Sequence, residues 1–372
     1  MSHDSVHLID LAPSVVSYPH METIPSRLLL AHRAGSIKGD AMSGIAEVAR
    51  RAGVSKATAS RALTGNGYVA PGTRERVQQA AHDLGYVASS SASSLVTGKT
   101  QTVALVVPRV GRWYFGQIIE GIERSLMQLG YDLTLYMAEP DTRDRDRLYR
   151  HFLARKRFDG VIAVALEPDD SDLQRLVGFA KPTVCIGNEL PGVVTLGIDN
   201  VAIGRMITQH LLALGHTRVA FLGATPDGDP PARDVDDRER GYIQAMRAAD
   251  LQPSVHPATL TITDGYAAAT PLLADAESRP TAIVGACDEV TIGAIIAAQR
   301  LGIAIPSQLS VIGVDGHDYA EMFALTTVEQ DPGTQGELAV ETHMSMIDGA
   351  TTAARTTVPA RMVMRASTTQ RA

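Results

Sequence analysis

Apolar segments alternate with amphipathic helical patterns through most of the chain, and this alternation constrains the fold more than any other feature. The segments 102–108 (TVALVVP) and 160–166 (GVIAVAL) are almost continuously apolar, as strands buried on both faces are. Further strands are predicted at 131–137, 182–187, 218–223, 282–287, 310–315 and 357–364. Helices are predicted between them, at 114–129, 199–214, 237–249, 288–301 and 333–347. Strands joined by helices predict parallel sheets covered on both faces.

The alternating region has about 270 residues, which is large for one doubly wound sheet, so two such subdomains are expected. Ligands of open parallel sheets bind beyond the carboxyl ends of the strands, which places a candidate site in the cleft between the subdomains. Trp113, Tyr114 and Phe115 follow the first strand, in a chain that is only 5% aromatic. These rings could pack against the apolar face of a sugar, or could equally serve as core for the next helix.

A different pattern precedes residue 100. In IAEVARRA, residues 45–52, apolar side chains recur at helical spacing, and Gly53 then breaks the helix. Ser55 can cap a second helix, on which Lys56, Ala57, Ser60 and Arg61 share one face and Ala59, Ala62 and Leu63 the other. A third amphipathic helix begins at Pro71 and ends near Gly85. This order is typical of a helix-turn-helix DNA reader, although a generic three-helix bundle would show the same spacing.

The charge distribution favours DNA as the partner of this segment. The chain as a whole has a formal charge of -7, yet residues 42–99 carry seven Lys and Arg against three Asp and Glu, a net charge of +4. A small basic module therefore precedes a large acidic one, and its local charge can meet a polyanion.

Composition excludes several other classes of protein. The chain is 45% hydrophobic with a mean hydropathy of +0.00, and no apolar run reaches the roughly 20 residues of a membrane helix. Residues 1–20 lack the features of a secretory signal, and only two cysteines, Cys185 and Cys287, are present, which indicates a cytoplasmic location. No sequence motif of a catalytic, metal or cofactor site is found. Two rival hypotheses stay open at this point: an enzyme on an α/β fold, and a sugar-binding transport component without DNA function.

The motifs IAEVARRAGVSKATASRALTG, LVTGKT, DNVAIGRMITQHLLALGHTRVAFLG and SVIGVDG occur in this order from residue 44 onward. In these the chain resembles the LacI/GalR family of bacterial transcription repressors. The resemblance implies an N-terminal all-α helix-turn-helix domain with a hinge, followed by an α/β core of two doubly wound parallel-sheet subdomains, like a periplasmic binding protein. It argues against both rival hypotheses.

The resemblance also implies the residues that contact DNA. Lys56 and Ala57 would face base edges in the major groove, and Arg61 would reach a base or a phosphate. Five positions match contacts to the sugar-phosphate backbone: Ser55, Thr58, Ser60, Thr64 and Tyr68. Leu95 matches a leucine that wedges into the minor groove and kinks the operator. The surrounding serines favour a helix poorly, so the segment could instead be a flexible linker.

The resemblance implies an effector site, meaning a site for the small molecule that controls DNA binding. Arg238 matches an arginine that clamps the effector, and Asp315 matches an aspartate that accepts its hydrogen bonds. Tyr114 and Phe115 match residues of the opposite wall, while Asp288 and Glu167 are further candidates at strand ends. Cys287 stands where the family often has asparagine, which puts effector contact at that position in doubt.

The resulting domain prediction has four parts. Residues 1–41 form an extension outside the resemblance, either disordered or a misassigned start; 42–86 form the helix-turn-helix domain; 87–100 form the hinge; and 101–372 form the core. Within the core, one subdomain is expected at about 101–199 plus 329–352 and the other at 200–328 plus 353–372, with crossings near 199–201, 326–331 and 350–356. The expected function is a non-enzymatic repressor of carbohydrate-utilisation genes that binds a pseudo-palindromic operator as a homodimer and is released by a sugar. A regulator that needs a corepressor is the alternative.

Overall fold

The computed structural model describes residues 44–65, 67–86, 98–139, 143–165, 171–187, 189–225 and 233–371. These residues form two compact units, one within residues 1–88 and one within 89–372. In the described stretches, no helix is both long and apolar enough to cross a lipid bilayer.

The first unit is a bundle of three helices, as the sequence pattern predicts: α1 (Ile45–Ala52), α2 (Lys56–Thr64) and α3 (Pro71–Asp83). Gly53 ends α1 with a left-handed backbone conformation, φ 67°, which a residue with a side chain adopts at a cost. The small core is built mainly from alanine and valine. Because Ala59 and Ala62 are buried and short, α2 lies close to the other two helices.

The described part of the second unit contains twelve strands: β1 (Thr102–Val107), β2 (Asp132–Met137), β3 (Gly160–Val164), β4 (Thr183–Ile186), β5 (Val194–Gly197), β6 (Val219–Ala224), β7 (Ser254–Pro257), β8 (Ala282–Gly285), β9 (Ser310–Asp315), β10 (Thr326–Glu329), β11 (Arg355–Thr357) and β12 (Arg361–Val363). Its helices are α4 (Trp113–Gln128), α5 (Arg143–Arg147), α6 (Ser171–Gly178), α7 (Asn200–Ala213), α8 (Arg233–Ala248), α9 (Ile262–Ala274), α10 (Asp288–Arg300) and α11 (Pro332–Ile347). Short π and 3-10 segments follow α5, and a 3-10 turn spans Asp318–Ala320.

The strands form two six-stranded sheets, which confirms the predicted architecture. The first has the order β11-β5-β4-β3-β1-β2 and the second the order β12-β10-β9-β8-β6-β7. All pairings are parallel except that between β10 and β12. Apolar clusters lie on both faces of each sheet, and the chain crosses between the sheets after β5, after β10 and after β11.

The last crossing corrects the sequence prediction. The sequence predicts one strand over 357–364, but β11 belongs to the first sheet and β12 to the second. Pro359 lies between them and has no backbone N–H for a sheet ladder, so the strand is interrupted there. The crossing therefore falls after Thr357 rather than near 350–356, and residues 355–357 pair in the first sheet instead of the second.

Glycines bring the helices of the second unit together in pairs. A Cβ on Gly204 would overlap the carbonyl of Arg238, and one on Gly241 would overlap the carbonyl of Val201, so α7 and α8 touch through their backbones. Reciprocal glycines join α9 to α10 and α4 to α11 in the same way. The pairing of α7 with α8 matters for the site, because α7 begins with Asn200 and α8 carries Arg238.

Candidate functional site

The exposed face of α2 carries the candidate DNA-reading side chains. The Ser55 hydroxyl caps this helix by accepting a hydrogen bond of 3.1 Å from the backbone N–H of Thr58. Lys56, Ala57 and Arg61 are exposed, while Ala59 and Ala62 face the core. Lys56 and Arg61 place a cation at each end of this exposed face, and the small buried residues hold the helix against the core. A helix with this geometry can enter a major groove.

The residues expected to contact the sugar-phosphate backbone of DNA differ in their exposure and in their hydrogen bonds within the chain. Tyr68 is 90% exposed, and the half-buried Thr58 and Ser60 lie beside the exposed face of α2. The Thr64 hydroxyl donates to the carbonyl oxygen of Ser60 at 2.9 Å, so its proton is already engaged within the helix. Leu95 and Glu167 lie outside the described residues.

In the second unit, Arg238 is held between the α7 start and the β8 end. Its Nε donates to Asn200 Oδ1 at 2.7 Å and its Nη1 donates to the Ala286 carbonyl oxygen at 2.6 Å. Asn200 in turn donates to Asp234 at 2.8 Å. Burial raises the pKa of Asp234, although the charge of Arg238 opposes that rise. These bonds fix the guanidinium in a buried polar cluster at the carboxyl end of the second sheet.

Asp315 ends β9 and lies in the same region. It is buried, and one of its oxygens accepts a hydrogen bond of 2.5 Å from Gln330 Nε2. Burial raises the pKa of Asp315, while the charges of Arg238 and Arg112 lower it and that of Asp288 raises it further. Its backbone φ of 138° is unusual for a residue with a side chain. Such local strain is found preferentially at functional sites.

The first subdomain contributes Tyr114, in the first turn of α4, to this cluster. Burial raises the pKa of the Tyr114 hydroxyl, and that hydroxyl also senses the charges of Asp234, Arg238 and Asp315. The structure therefore brings three predicted effector residues together from both subdomains: Tyr114, Arg238 and Asp315. Phe115 is different, because it is buried in the core of the first subdomain, where its ring meets that of Tyr114 edge-on at 5.5 Å.

Asp288 is placed near the cluster but its oxygens are already engaged. They accept hydrogen bonds from the Thr327 hydroxyl at 2.7 Å and from the backbone N–H groups of Gly316 and His317 at 2.9 and 2.8 Å. The side chain is wholly buried, and burial raises its pKa. This geometry fits a residue that positions the loop after Asp315 better than one that contacts an effector.

Sequence reasoning overlooked two polar residues of the cleft. Arg112, in the first subdomain, donates from Nε to Glu289 of the second at 3.3 Å, and Gln330 binds Asp315. Gln330 follows β10, so the strand-end rule that selected Asp315 would have found it as well. No sequence pattern indicates Arg112, because a single arginine in a loop looks the same in the sequence whether its side chain is buried in a cleft or exposed to solvent.

The neighbouring Trp113 also spans the two subdomains. Its indole Nε1 donates to Asp318 at 2.8 Å, and its ring stacks on that of His317 at 4.7 Å. Within the described residues, no group of three His, Cys, Asp or Glu side chains is placed to hold a metal ion.

The chain combines a helix-turn-helix unit with a core of two subdomains that enclose a polar cleft. This combination defines a DNA-binding regulator with a ligand-binding domain. Two family models match the chain: "Bacterial regulatory proteins, lacI family" over residues 44–89 and "Periplasmic binding protein-like domain" over 208–368. The HTH-type transcriptional repressor PurR of Klebsiella pneumoniae (strain 342) is 32% identical over 307 residues, 80% of this chain and 88% of that protein. The regulator DegA of Bacillus subtilis (strain 168) is 31% identical over 77% of this chain and 86% of its own length.

Solved structures agree with this assignment. The lac repressor dimer bound to operator and the anti-inducer ONPF matches with a TM-score of 0.78 at 24% identity, over 88% of this chain and 99% of that one. A complex of the transcriptional regulator CelR with cellobiose matches with a TM-score of 0.62 at 28% identity, over 87% and 99%. The chain belongs to the LacI family of bacterial regulatory proteins and is a DNA-binding transcriptional repressor rather than an enzyme.

Proposed function

We propose that this repressor controls carbohydrate-utilisation genes and leaves its operator when a small sugar binds between the two subdomains of the core. The observation that carries the proposal is a polar cleft with donors and acceptors from both subdomains: Arg112 of the first subdomain donates to Glu289 of the second at 3.3 Å, and the bonded side chains of Arg238 and Asp315 lie near Tyr114. A sugar has hydroxyl groups that can satisfy both kinds of group at once. The CelR relative, whose solved complex contains cellobiose, supports a saccharide as the ligand class.

A ligand that touches both subdomains binds one degree of cleft closure better than another, and only such a difference can shift a conformational equilibrium. We propose that residues 87–100 act as the hinge that transmits this shift, with Leu95 as the minor-groove wedge. Asp159 anchors the end of this segment, because its carboxylate accepts hydrogen bonds from the backbone N–H groups of Thr100 at 2.7 Å and Gln101 at 2.9 Å. A homodimer in the cytoplasm would present two reading helices to the half-sites of a pseudo-palindromic operator.

The proposal is tested by isothermal titration of the full chain with a panel of saccharides, followed by operator binding in the presence of the one that binds. Asp315→Asn keeps the shape of the side chain but replaces one acceptor oxygen by an amide donor, so the sugar should bind about tenfold more weakly while operator affinity without sugar is kept. Glu341→Gln, at an exposed position of α11, is the control. A folded Asp315→Asn protein that still binds the sugar normally would remove Asp315 from the site. Stronger operator binding with sugar would make the ligand a corepressor.

A further inference from the structure

A cavity of about 430 Å³ opens beside Asp315 and is separate from the bonds that hold Arg238. It lies between the first turn of α4, the start of α11 and the ends of β9 and β10, and Pro359 to Arg361 complete its wall. Its volume falls within the range of sites for small organic ligands. Its polar and aromatic lining includes Trp113, Gln117, Asp315, Glu329, Asp331 and Arg361.

The lining of this cavity is acidic. Glu329 and Asp331 contribute carboxylates, whereas burial raises the pKa of Asp315 to about 7, so this third carboxyl carries only part of its negative charge at neutral pH. The arginine of the lining is already paired, since Arg361 Nη2 lies 2.8 Å from Glu329 Oε2, and Arg365 lies 4.0 Å from the same carboxylate. The Arg361 side chain is 80% exposed and reaches outward to solvent. The two arginines described above in the cleft between the subdomains, Arg112 and Arg238, do not line the cavity. An anionic group entering here would meet like charge without an uncommitted cation to pair with.

Asp315 lines the cavity and has one carboxylate oxygen that is not hydrogen-bonded to the rest of the described chain. It is only 4% exposed, and Gln330 occupies one of its oxygens. Among the described residues, no hydrogen bond reaches the second oxygen. A carboxyl group that lines a cavity and has an oxygen without a donor can accept a hydrogen bond from a ligand hydroxyl.

Trp113 gives the cavity an aromatic wall. It is the only tryptophan of the chain, and it is held in place by the hydrogen bond to Asp318 and by the stacked ring of His317. A rigid indole beside several carboxylate acceptors matches the two kinds of surface of a sugar ring, its apolar C–H face and its hydroxyl edge.

We propose that this cavity is a subsite for an uncharged sugar ring and that its carboxylates reject the phosphorylated form of the same sugar. The inference rests on the proposed function and names the ligand class that the site selects. The repressor then responds to a sugar before phosphoryl transfer consumes it, and the reaction class that ends the signal is a sugar kinase.

The first test uses Trp113 fluorescence, which reports on the cavity alone because the chain has no other tryptophan. Iodide and caesium quenching are each normalised to free tryptophan amide. The acidic lining predicts that caesium quenches more efficiently than iodide. Asp331→Asn should narrow that difference, since asparagine keeps the helix cap and tolerates the φ of 45° at this position. Asp348→Asn, near the other end of α11, should leave the difference unchanged.

The second test titrates glucose, ribose and cellobiose, and then the phosphate ester of whichever sugar binds. The uncharged sugar should bind at least tenfold more tightly than its ester, and Asp331→Asn should reduce that ratio severalfold. Trp113→Ala should weaken the uncharged sugar about tenfold. Trp113→Phe keeps an aromatic face without the bond to Asp318 and should lose much less.

The outcomes separate the two levels of the account. An ester that binds as well as its parent sugar, or iodide quenching equal to that of caesium, would overturn the inference and leave sugar control intact. Equal losses in Trp113→Phe and Trp113→Ala would assign Trp113 to the contact with Asp318 instead of the subsite. A protein that binds operator and ignores every saccharide, while showing the expected quenching, would contradict the proposed function itself.

Discussion

At the scale of single residues, the two arginines proposed to contact DNA and the effector, Arg61 and Arg238, both lie beside neutral hydrogen-bonding groups. Arg238 is held by Asn200 and the Ala286 carbonyl oxygen and, among the described residues, makes no hydrogen bond to a carboxylate. Arg61 stands on an exposed helix face, and its Nη2 lies 3.5 Å from the Thr58 hydroxyl. In the part of the chain that the structure describes, neither guanidinium forms an ion pair, so each keeps donors for a partner outside the chain.

The first prediction concerns sequence reading by Arg61. Arg61→Ala should cost about 1–3 kcal/mol at the preferred operator if the guanidinium reads a base edge, and it should relax specificity at that base pair. Quantitative gel shifts on the selected operator and on single-base variants measure both effects. Arg76→Ala, at an exposed position of α3, is the control and should leave base discrimination unchanged. Unaltered affinity and specificity in Arg61→Ala would refute the assignment.

At the scale of secondary-structure elements, backbone contact between paired helices sets the position of the site. Gly204 and Gly241 let α7 and α8 meet without intervening side chains, and this meeting holds Asn200 against Arg238. A larger residue at either glycine must push the helices apart, because the atom it would overlap is backbone and cannot rotate away.

The second prediction follows from that contact. Gly241→Ala should destabilise the core by about 1–3 kcal/mol or more and should weaken sugar binding, because Arg238 moves with α8. Gly116→Ala, inside α4 where a Cβ meets nothing within 4 Å, is the control and should be neutral or stabilising by up to about 1 kcal/mol. Chemical unfolding of both variants measures the difference. Equal free energies of unfolding for Gly241→Ala and Gly116→Ala would contradict the prediction and show that α7 and α8 can move apart without loss of stability.

Another element-level prediction concerns the anchor at the end of the proposed hinge. Asp159→Ala removes the acceptor of three hydrogen bonds from Thr100 and Gln101. Operator affinity should fall by more than sugar affinity, because the end of the segment that links the two units is then no longer hydrogen-bonded to the core. Titrations with operator and with sugar, on protein shown to be folded by circular dichroism, compare the two losses. A larger loss for sugar would contradict the role given to Asp159.

At the scale of the whole molecule, the elements with strong apolar patterns were predictable and those held by tertiary context were not. The buried strands β1, β3 and β9 follow from their continuous apolar runs. The edge strand β7 was missed because its residues are half-buried or exposed, and α9 was missed because Pro271 lies inside it. The strand-end rule found Asp315, but no local pattern distinguished the internally bonded Asp288 from a ligand contact.

A buried histidine should make the stability of the whole core depend on pH. His343 is fully buried, and burial lowers its pKa to about 4. The imidazole is protonated near pH 6.5 in the unfolded chain but only near pH 4 in the folded chain. Because the unfolded state binds the proton first, the free energy of unfolding decreases as pH falls from about 6.5 to about 4. The loss amounts to about 3 kcal/mol at most.

The measurement is the free energy of unfolding at a series of pH values in this window for the wild type and for His343→Gln. Glutamine cannot take up the proton, so the pH slope should decrease by up to one proton even if the variant starts from a lower stability. His151→Gln removes an exposed histidine of the same subdomain and is the control. Parallel curves for His343→Gln and the wild type would contradict the prediction.

The central claim is that a ligand between the subdomains and DNA at the helix-turn-helix unit influence one another. Coupling of this kind is reciprocal, so sugar must weaken operator binding by the same factor by which operator weakens sugar binding. The most direct measurement is calorimetric titration of the full chain with the sugar, first free and then saturated with operator. We expect a five- to 150-fold weaker sugar affinity on the operator, corresponding to about 1–3 kcal/mol of coupling. Equal sugar affinity in both titrations would contradict the account.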